Sequence, residues 1–230
     1  MTERTVVRWI RAGLLALPVH GLLTAWASLD PQPDPAADPE GWARFVSSSS
    51  YLIGHLVGST GGTILAILGT FALGAHLAGG RSARLALPAM VLAVTGHALL
   101  LVPAVMSTFA LPALGRAYLT GTPEVVQVEF PDVLTAATLL GLLLALVGHL
   151  LLGAAIWRSG VLPRGAGALW AFATVVFYVL GVVLGMATTG ASLPTQVVGA
   201  LLLAVGGAWI AWSASFRHTP SRTTPEHPTE

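Results

Sequence analysis

The sequence predicts an all-α fold: a polytopic transmembrane helix bundle of six spans, with both termini cytoplasmic. Three observations carry this reading. Hydrophobic residues fill 54% of 230 positions and charged residues 9%, with a mean hydropathy of +0.77, whereas a soluble domain carries roughly 25% charged residues. The apolar residues are gathered into six runs of about the 20 residues that cross a hydrocarbon core. No Asp, Glu, Lys or Arg lies inside any of the six.

The first run, Ala12 to Leu29, follows Arg4, Arg8 and Arg11 and contains Pro18 and His20. Ala25-Trp26-Ala27 gives it the outline of a secretory signal with an A-x-A site, and cleavage there would leave five spans. Its length and its internal proline and histidine favour a retained span. Asp30 to Pro35 alternates acid and proline and predicts an extended external loop; Gly41-Trp42-Ala43-Arg44-Phe45 predicts a segment lying in the interface. Ser47 to Ser50 cap the second run, Tyr51 to Ala78. The third, Leu85 to Ala110, is long enough to tilt or to extend past the bilayer. Pro88, Pro103 and Pro112 kink this span as Pro18 kinks the first, freeing carbonyls such as that of Leu14. Gly115 to Asp132 forms a second external segment, in which Val125 to Phe130 alternates weakly like a short strand. Val133 to Trp157, Ala166 to Thr188 and Pro194 to Phe216 complete the set, the last two joined by a tight turn around Gly190 to Leu193. Residues 1–216 thus read as one transmembrane helical domain. Residues 217–230, with Pro220, Pro225 and Pro228 among Ser, Thr and Glu, read as a disordered cytoplasmic tail.

Orientation follows from the arginines. With the N-terminus inside, nine of the 11 basic residues fall in cytoplasmic segments and only Arg44 and Arg116 outside, the positive-inside pattern. Seven of the 10 acids, Asp30, Asp34, Asp38, Glu40, Glu124, Glu129 and Asp132, fall in the outer loops. Trp9, Trp42, Trp157, Trp209 and Trp212 sit near span ends as interfacial aromatic residues do. The Ala-, Gly-, Arg- and Pro-rich composition suggests a bacterial source and therefore the cytoplasmic (inner) membrane.

Composition also excludes chemistry. There is no cysteine, hence no disulfide, thiolate metal site or cysteine nucleophile. Every basic residue is arginine, which removes Schiff-base mechanisms. A net charge of +1 provides no basic face for a nucleic acid. The lipid bilayer is the expected surrounding.

In lipid, helices associate by close packing, and small residues four apart mark the faces that touch. Gly54, Gly58, Gly62, Ala66, Thr70, Gly74 and Ala78 form one such ridge in the second span. Either it is spent within the chain, or Gly54, Gly58 and Gly62 serve a homo-oligomer or a membrane-complex partner. The same ruler places His20, His97 and His149 on the small-residue stripes of spans one, three and four. Gly-His pairs recur at Gly54-His55, Gly96-His97 and Gly148-His149.

An ionisable residue within a membrane is costly and points to function, and histidine is the commonest metal ligand. His20, His55, His97 and His149 are therefore candidate ligands of a haem b, with a glycine beside each letting a macrocycle approach, or of a histidine-bound metal, with His55 and His97 as its first pair. Counted at 1.5 Å per residue, His20, His55 and His97 fall in the outer half of the bilayer and His149 lower. The plainer account is that neutral imidazoles hydrogen-bond between helices as packing groups. Gly58-Ser59-Thr60-Gly61-Gly62 is not a G-x-S-x-G nucleophile turn and belongs to the packing ridge. Gln196 and Tyr178 are the notable polar groups of the last hairpin. Three classes of function follow: a cofactor-binding or redox bundle, a permease for a small neutral solute, and an accessory or assembly subunit of a membrane complex.

Overall fold

The computed structural model describes residues 2–30, 32–189 and 192–216, and no strand occurs among them. The C-terminal tail and the middle of the last turn lie outside the described residues. Six helices are long and apolar enough to cross a membrane: Thr5–Ala27, Ser49–Ala78, Ala83–Leu119, Asp132–Ser159, Arg164–Thr188 and Thr195–Ser215, called spans 1 to 6 below. Their outward faces expose Leu22, Leu68, Val91, Leu139, Phe172 and Val205. Such apolar surface is far more than water-facing proteins tolerate and is what lipid requires. Six such helices are the makings of a multi-pass membrane protein.

Each span packs against its neighbours in sequence, and span 6 returns to pack on span 1, closing a ring. Small residues make each seam. A Cβ on Gly21 of span 1 would meet the Ala204 nitrogen of span 6 at 2.6 Å, and one on Gly167 of span 5 would meet the Gly153 oxygen of span 4 at 2.6 Å. Backbones this close leave no room for a side chain and gain the dispersion contacts that hold helices together in lipid. The ridge of span 2 is spent largely within the molecule: Gly58 faces Ala27 and Leu23, Gly62 faces Thr24, and Gly74 faces Met90. Gly54 alone of these has nothing within 4 Å.

Span 1 breaks at Leu15, whose nitrogen bonds the Ala12 oxygen at 3.1 Å. That is three residues before Pro18, which has no N–H to offer the Leu14 carbonyl. The bend sinks Leu14 and Leu17 into the core, 0% and 1% exposed. Leu17 fills hollows in both neighbours: a Cβ on Gly69 of span 2 would meet its Cδ2 at 2.6 Å, and one on Gly207 of span 6 its Cβ at 2.8 Å.

Span 3 has 37 residues, about 55 Å at 1.5 Å per residue, against a hydrocarbon core of about 30 Å. It runs nine residues beyond Ala110, where the apolar run was expected to stop, because another element covers it. Asp38 caps the short helix Pro39–Val46 through a 2.8 Å bond from the Gly41 nitrogen. Trp42, Val46 and Tyr51 of this region form a second core with Leu111, Leu114 and Tyr118. Trp42 is only 4% exposed, so it packs on span 3 where an interfacial position was expected. Ser48 caps span 2, accepting from the Tyr51 nitrogen at 3.1 Å. The strand expected at Val125 to Phe130 is absent. Pro123–Gln127 is a turn of 3-10 helix, because a single extended segment has no partner strand to satisfy its backbone.

Candidate intramembrane histidine site

Three of the four candidate histidines meet inside the ring. His20, His97 and His149 are 8%, 3% and 4% exposed. Ring centroids are 5.9 Å apart for His20 and His97 and 5.0 Å for His97 and His149, both edge-on. Span 5 adds Trp170, 1% exposed, and Tyr178, 4% exposed. The Trp170 ring lies 5.4 Å from that of His149. Tyr178 lies in a π-helical stretch, Val175–Val183, a local widening often found at functional sites.

Residue counting had put His149 below His97, and side-chain direction closes that gap. Side chains lean toward the N-terminus of their own helix. Spans 3 and 4 run in opposite directions, so His97 and His149 lean toward each other. Register comes from the glycines beside them: Gly148 lies against Ala93, and Gly96 against Gly141 and Ala145. Ala93 is one helical turn, about 6 Å, from His97.

The same rule separates His55. It lies early in span 2 and leans back to Tyr51, stacking on that ring at 3.8 Å and donating from Nδ1 to the Tyr51 carbonyl at 3.0 Å. No ring contact or hydrogen bond joins it to His97, the residue with which a metal pair was expected. Among the described residues, no three His, Asp or Glu side chains form a ready-made metal-binding group.

Hydrogen-bond partners fix the tautomers, because each donor-only or acceptor-only partner dictates the role of the nitrogen it meets. The Nδ1 of His97 lies 2.9 Å from the Ala93 carbonyl and must carry the proton; its Nε2 then accepts from the Tyr178 hydroxyl at 3.3 Å. The Nδ1 of His20 donates to the Gly62 carbonyl at 2.9 Å, with the Thr24 hydroxyl at 3.2 Å beside it. For His149 the roles reverse. The Trp170 indole N–H donates to its Nδ1 at 3.2 Å, so the proton sits on Nε2 and the ring is neutral. The cluster therefore holds Nε2 lone pairs on His20 and His97, an Nε2–H on His149 and a phenol. Such a set can bind a Lewis acid or pass a proton.

Trp170 was not anticipated as a site residue, since a hydropathy scan treats indole as apolar. Position gave no signal either, since Trp170 stands only four residues from the start of its run, no deeper than Trp209 and Trp212 lie from the end of theirs. The fold defines the class, a polytopic helical membrane protein with a histidine-centred core. Compared with protein-family models, curated proteins and solved structures, the chain matches none.

Proposed function

We propose that this chain is a cofactor-binding protein of the bacterial cytoplasmic membrane, with both termini inside, whose centre is a histidine-bound metal ion held by His20 and His97. The observation that carries this reading is that each of the two rings meets a backbone carbonyl at Nδ1. Metal-binding histidines almost always donate their other N–H to a carbonyl or carboxylate, which orients the ring and raises its basicity. His20 and His97 both do so, to Gly62 and Ala93, leaving Nε2 of His20 for the ion, and that of His97 once the Tyr178 hydroxyl turns aside. His149, with its proton on Nε2, acts as a neighbouring donor. A compact ion is favoured over haem b because the glycines beside His97 and His149 are already filled by the facing helix, and a macrocycle would have to part spans 3 and 4.

The test is an absorption spectrum with metal analysis of protein purified from metal-replete, haem-replete cells. About one metal per chain is expected, lost in His20→Ala or His97→Ala and retained in His55→Ala. A Soret band would restore haem b as the group. Colourless, metal-free protein would overturn the reading.

A second reading has its own observation. A cavity of about 780 Å³ opens at the acid-bearing end, bordered by Asp30, Phe45, His55, Ser59 and Gln196. The Oε1 of Gln196 is buried without a hydrogen-bond partner. Apart from the carboxylates of Asp30 and Asp34 the cavity wall is uncharged, and an unmet acceptor within it suits a small solute carrying a donor, as the permease reading requires. Counterflow in proteoliposomes, reduced by Gln196→Leu, would support it, and the absence of flux for any polyol or amide tried would count against it.

A further inference from the structure

At the opposite end of the bundle, the loops before span 3 and before span 5 enclose a hollow of about 620 Å³ bordered by Arg81, Arg84, Arg158 and Arg164, with Ser82 and Trp157. We infer that this hollow binds a phosphate-bearing anion.

Four guanidinium groups share one concavity, and no carboxylate among the described residues answers them. Among the described residues the one ion pair joins Arg44 to Glu40, at the far end of the molecule. Like charges gathered without counter-charge repel, and a planar guanidinium matches phosphate oxygens in a bidentate manner.

An independent observation points the same way. Ser82 is 5% exposed, and its hydroxyl has no hydrogen-bond partner. It occupies the position before span 3, where serine usually caps the helix, yet it makes no capping bond. A buried hydroxyl left unmet costs stability, and Ser82 borders the hollow, so a turn of its side chain would bring the hydroxyl to a ligand oxygen there. The amino ends of spans 3 and 5, at Ala83 and Arg164, also face this end, and helix amino ends favour anions.

Arg81 has a separate task. Its Nε donates to the Arg158 carbonyl at 2.8 Å, tying the loop before span 3 to the last turn of span 4. Trp157, 48% exposed, marks the rim as the level where lipid headgroups lie. The phosphate can therefore arrive on a lipid or free in solution, and basic pockets between membrane helices take lipid headgroups.

The test uses the full chain in nanodiscs of phosphatidylcholine, with and without phosphatidylglycerol, read by native mass spectrometry of retained lipid and by the thermal unfolding midpoint. A separate arm adds inorganic phosphate to phosphatidylcholine discs, against chloride at equal ionic strength. Wild type should retain phosphatidylglycerol over phosphatidylcholine, and the double variant Arg84→Gln/Arg164→Gln should cut that preference by about tenfold or more, a direct charge-assisted guanidinium–phosphate contact being worth on the order of a factor of ten. Ser82→Ala should weaken it without touching charge. The variant Arg8→Gln/Arg11→Gln removes two arginines from the same end outside the hollow and should leave the preference largely intact. Stabilisation by inorganic phosphate alone would assign the hollow to a soluble phosphate, and stabilisation by phosphatidylglycerol alone to a lipid. Equal losses in the two double variants would reduce the effect to general surface charge and overturn the site, as would the absence of any response to either probe. An unchanged midpoint in pure phosphatidylcholine shows that the variants fold.

Discussion

The three Gly-His pairs are alike in sequence and unlike in surroundings, so alanine at each glycine isolates what the surroundings contribute. A Cβ on Gly54 meets nothing within 4 Å. On Gly96 it would meet the Gly141 oxygen at 2.7 Å and the Ala145 Cα at 2.8 Å, and on Gly148 the Ala93 Cα at 2.7 Å. These are backbone atoms that no rotamer change can move aside. The nearest atoms are the backbone nitrogens of Ala145 and Ala93, and ordinary contact begins at 3.4 Å, so spans 3 and 4 must part by roughly 1 Å. Overpacking of this kind costs about 1–3 kcal/mol. Replacing glycine by alanine also gains up to about 1 kcal/mol of helix propensity, a gain common to all three sites that cancels when they are compared. Gly96→Ala and Gly148→Ala should each therefore fall about 1–3 kcal/mol below Gly54→Ala. The double variant should lose less than the sum, since one separation of the helices relieves both. Reversible unfolding in mixed micelles measures these differences. Three equal values would refute the claim that the pairs beside His97 and His149 form a helix seam and that the first pair does not.

Two further outcomes test the core directly. Trp170→Phe deletes the donor on Nδ1 of His149 and should cost about 1–3 kcal/mol for the unmet buried acceptor; nitrogen-15 NMR should then show His149 exchanging between tautomers, and a fixed Nε2–H signal would argue that Trp170 does not set the proton. Leu17→Ala empties the hollow at Gly69 while its Cβ stays in the one at Gly207, and should cost about 2–5 kcal/mol, while Leu22→Ala, on the lipid face, should stay within about 0.5 kcal/mol; equal effects would contradict the placement of Leu17.

The spans were legible because hydrocarbon thickness imposes a length and forbids charge, and both show in a one-dimensional scan. The break before Pro18 and the Ser48 cap were legible for a similar reason, since each follows from chemistry within a few residues. The full length of span 3 was not, because its last nine residues are stabilised by Trp42 and Val46, about 70 positions earlier in the chain. Helical spacing placed His20, His97 and His149 on inward stripes, and the structure puts all three in the ring. Depth counting wrongly grouped His55 with His20 and His97, because it counts Cα positions and ignores the lean of the side chain, which in an antiparallel bundle alternates from span to span. Trp170 escaped because its function here is one N–H on an otherwise apolar ring.

The opposite tautomers of His97 and His149 limit how this core can work. Each ring is locked by a partner that has only one role: a carbonyl that only accepts for His97, and an indole that only donates for His149. Protonating His149 at Nδ1 would set its new N–H against that of Trp170, so a second proton cannot be taken there without breaking the Trp170 contact. The Nε2 of His97 is already met by Tyr178, a hydroxyl able to reverse its role and accept. Any ion or proton that enters the cluster must therefore reach it through Nε2 of His20 or of His97 with Tyr178 turning away, while His149 stays a fixed donor. Exchange of Tyr178 for Phe should free that nitrogen and strengthen metal binding at His97, whereas a role for the phenol as a ligand predicts the opposite change in measured metal affinity.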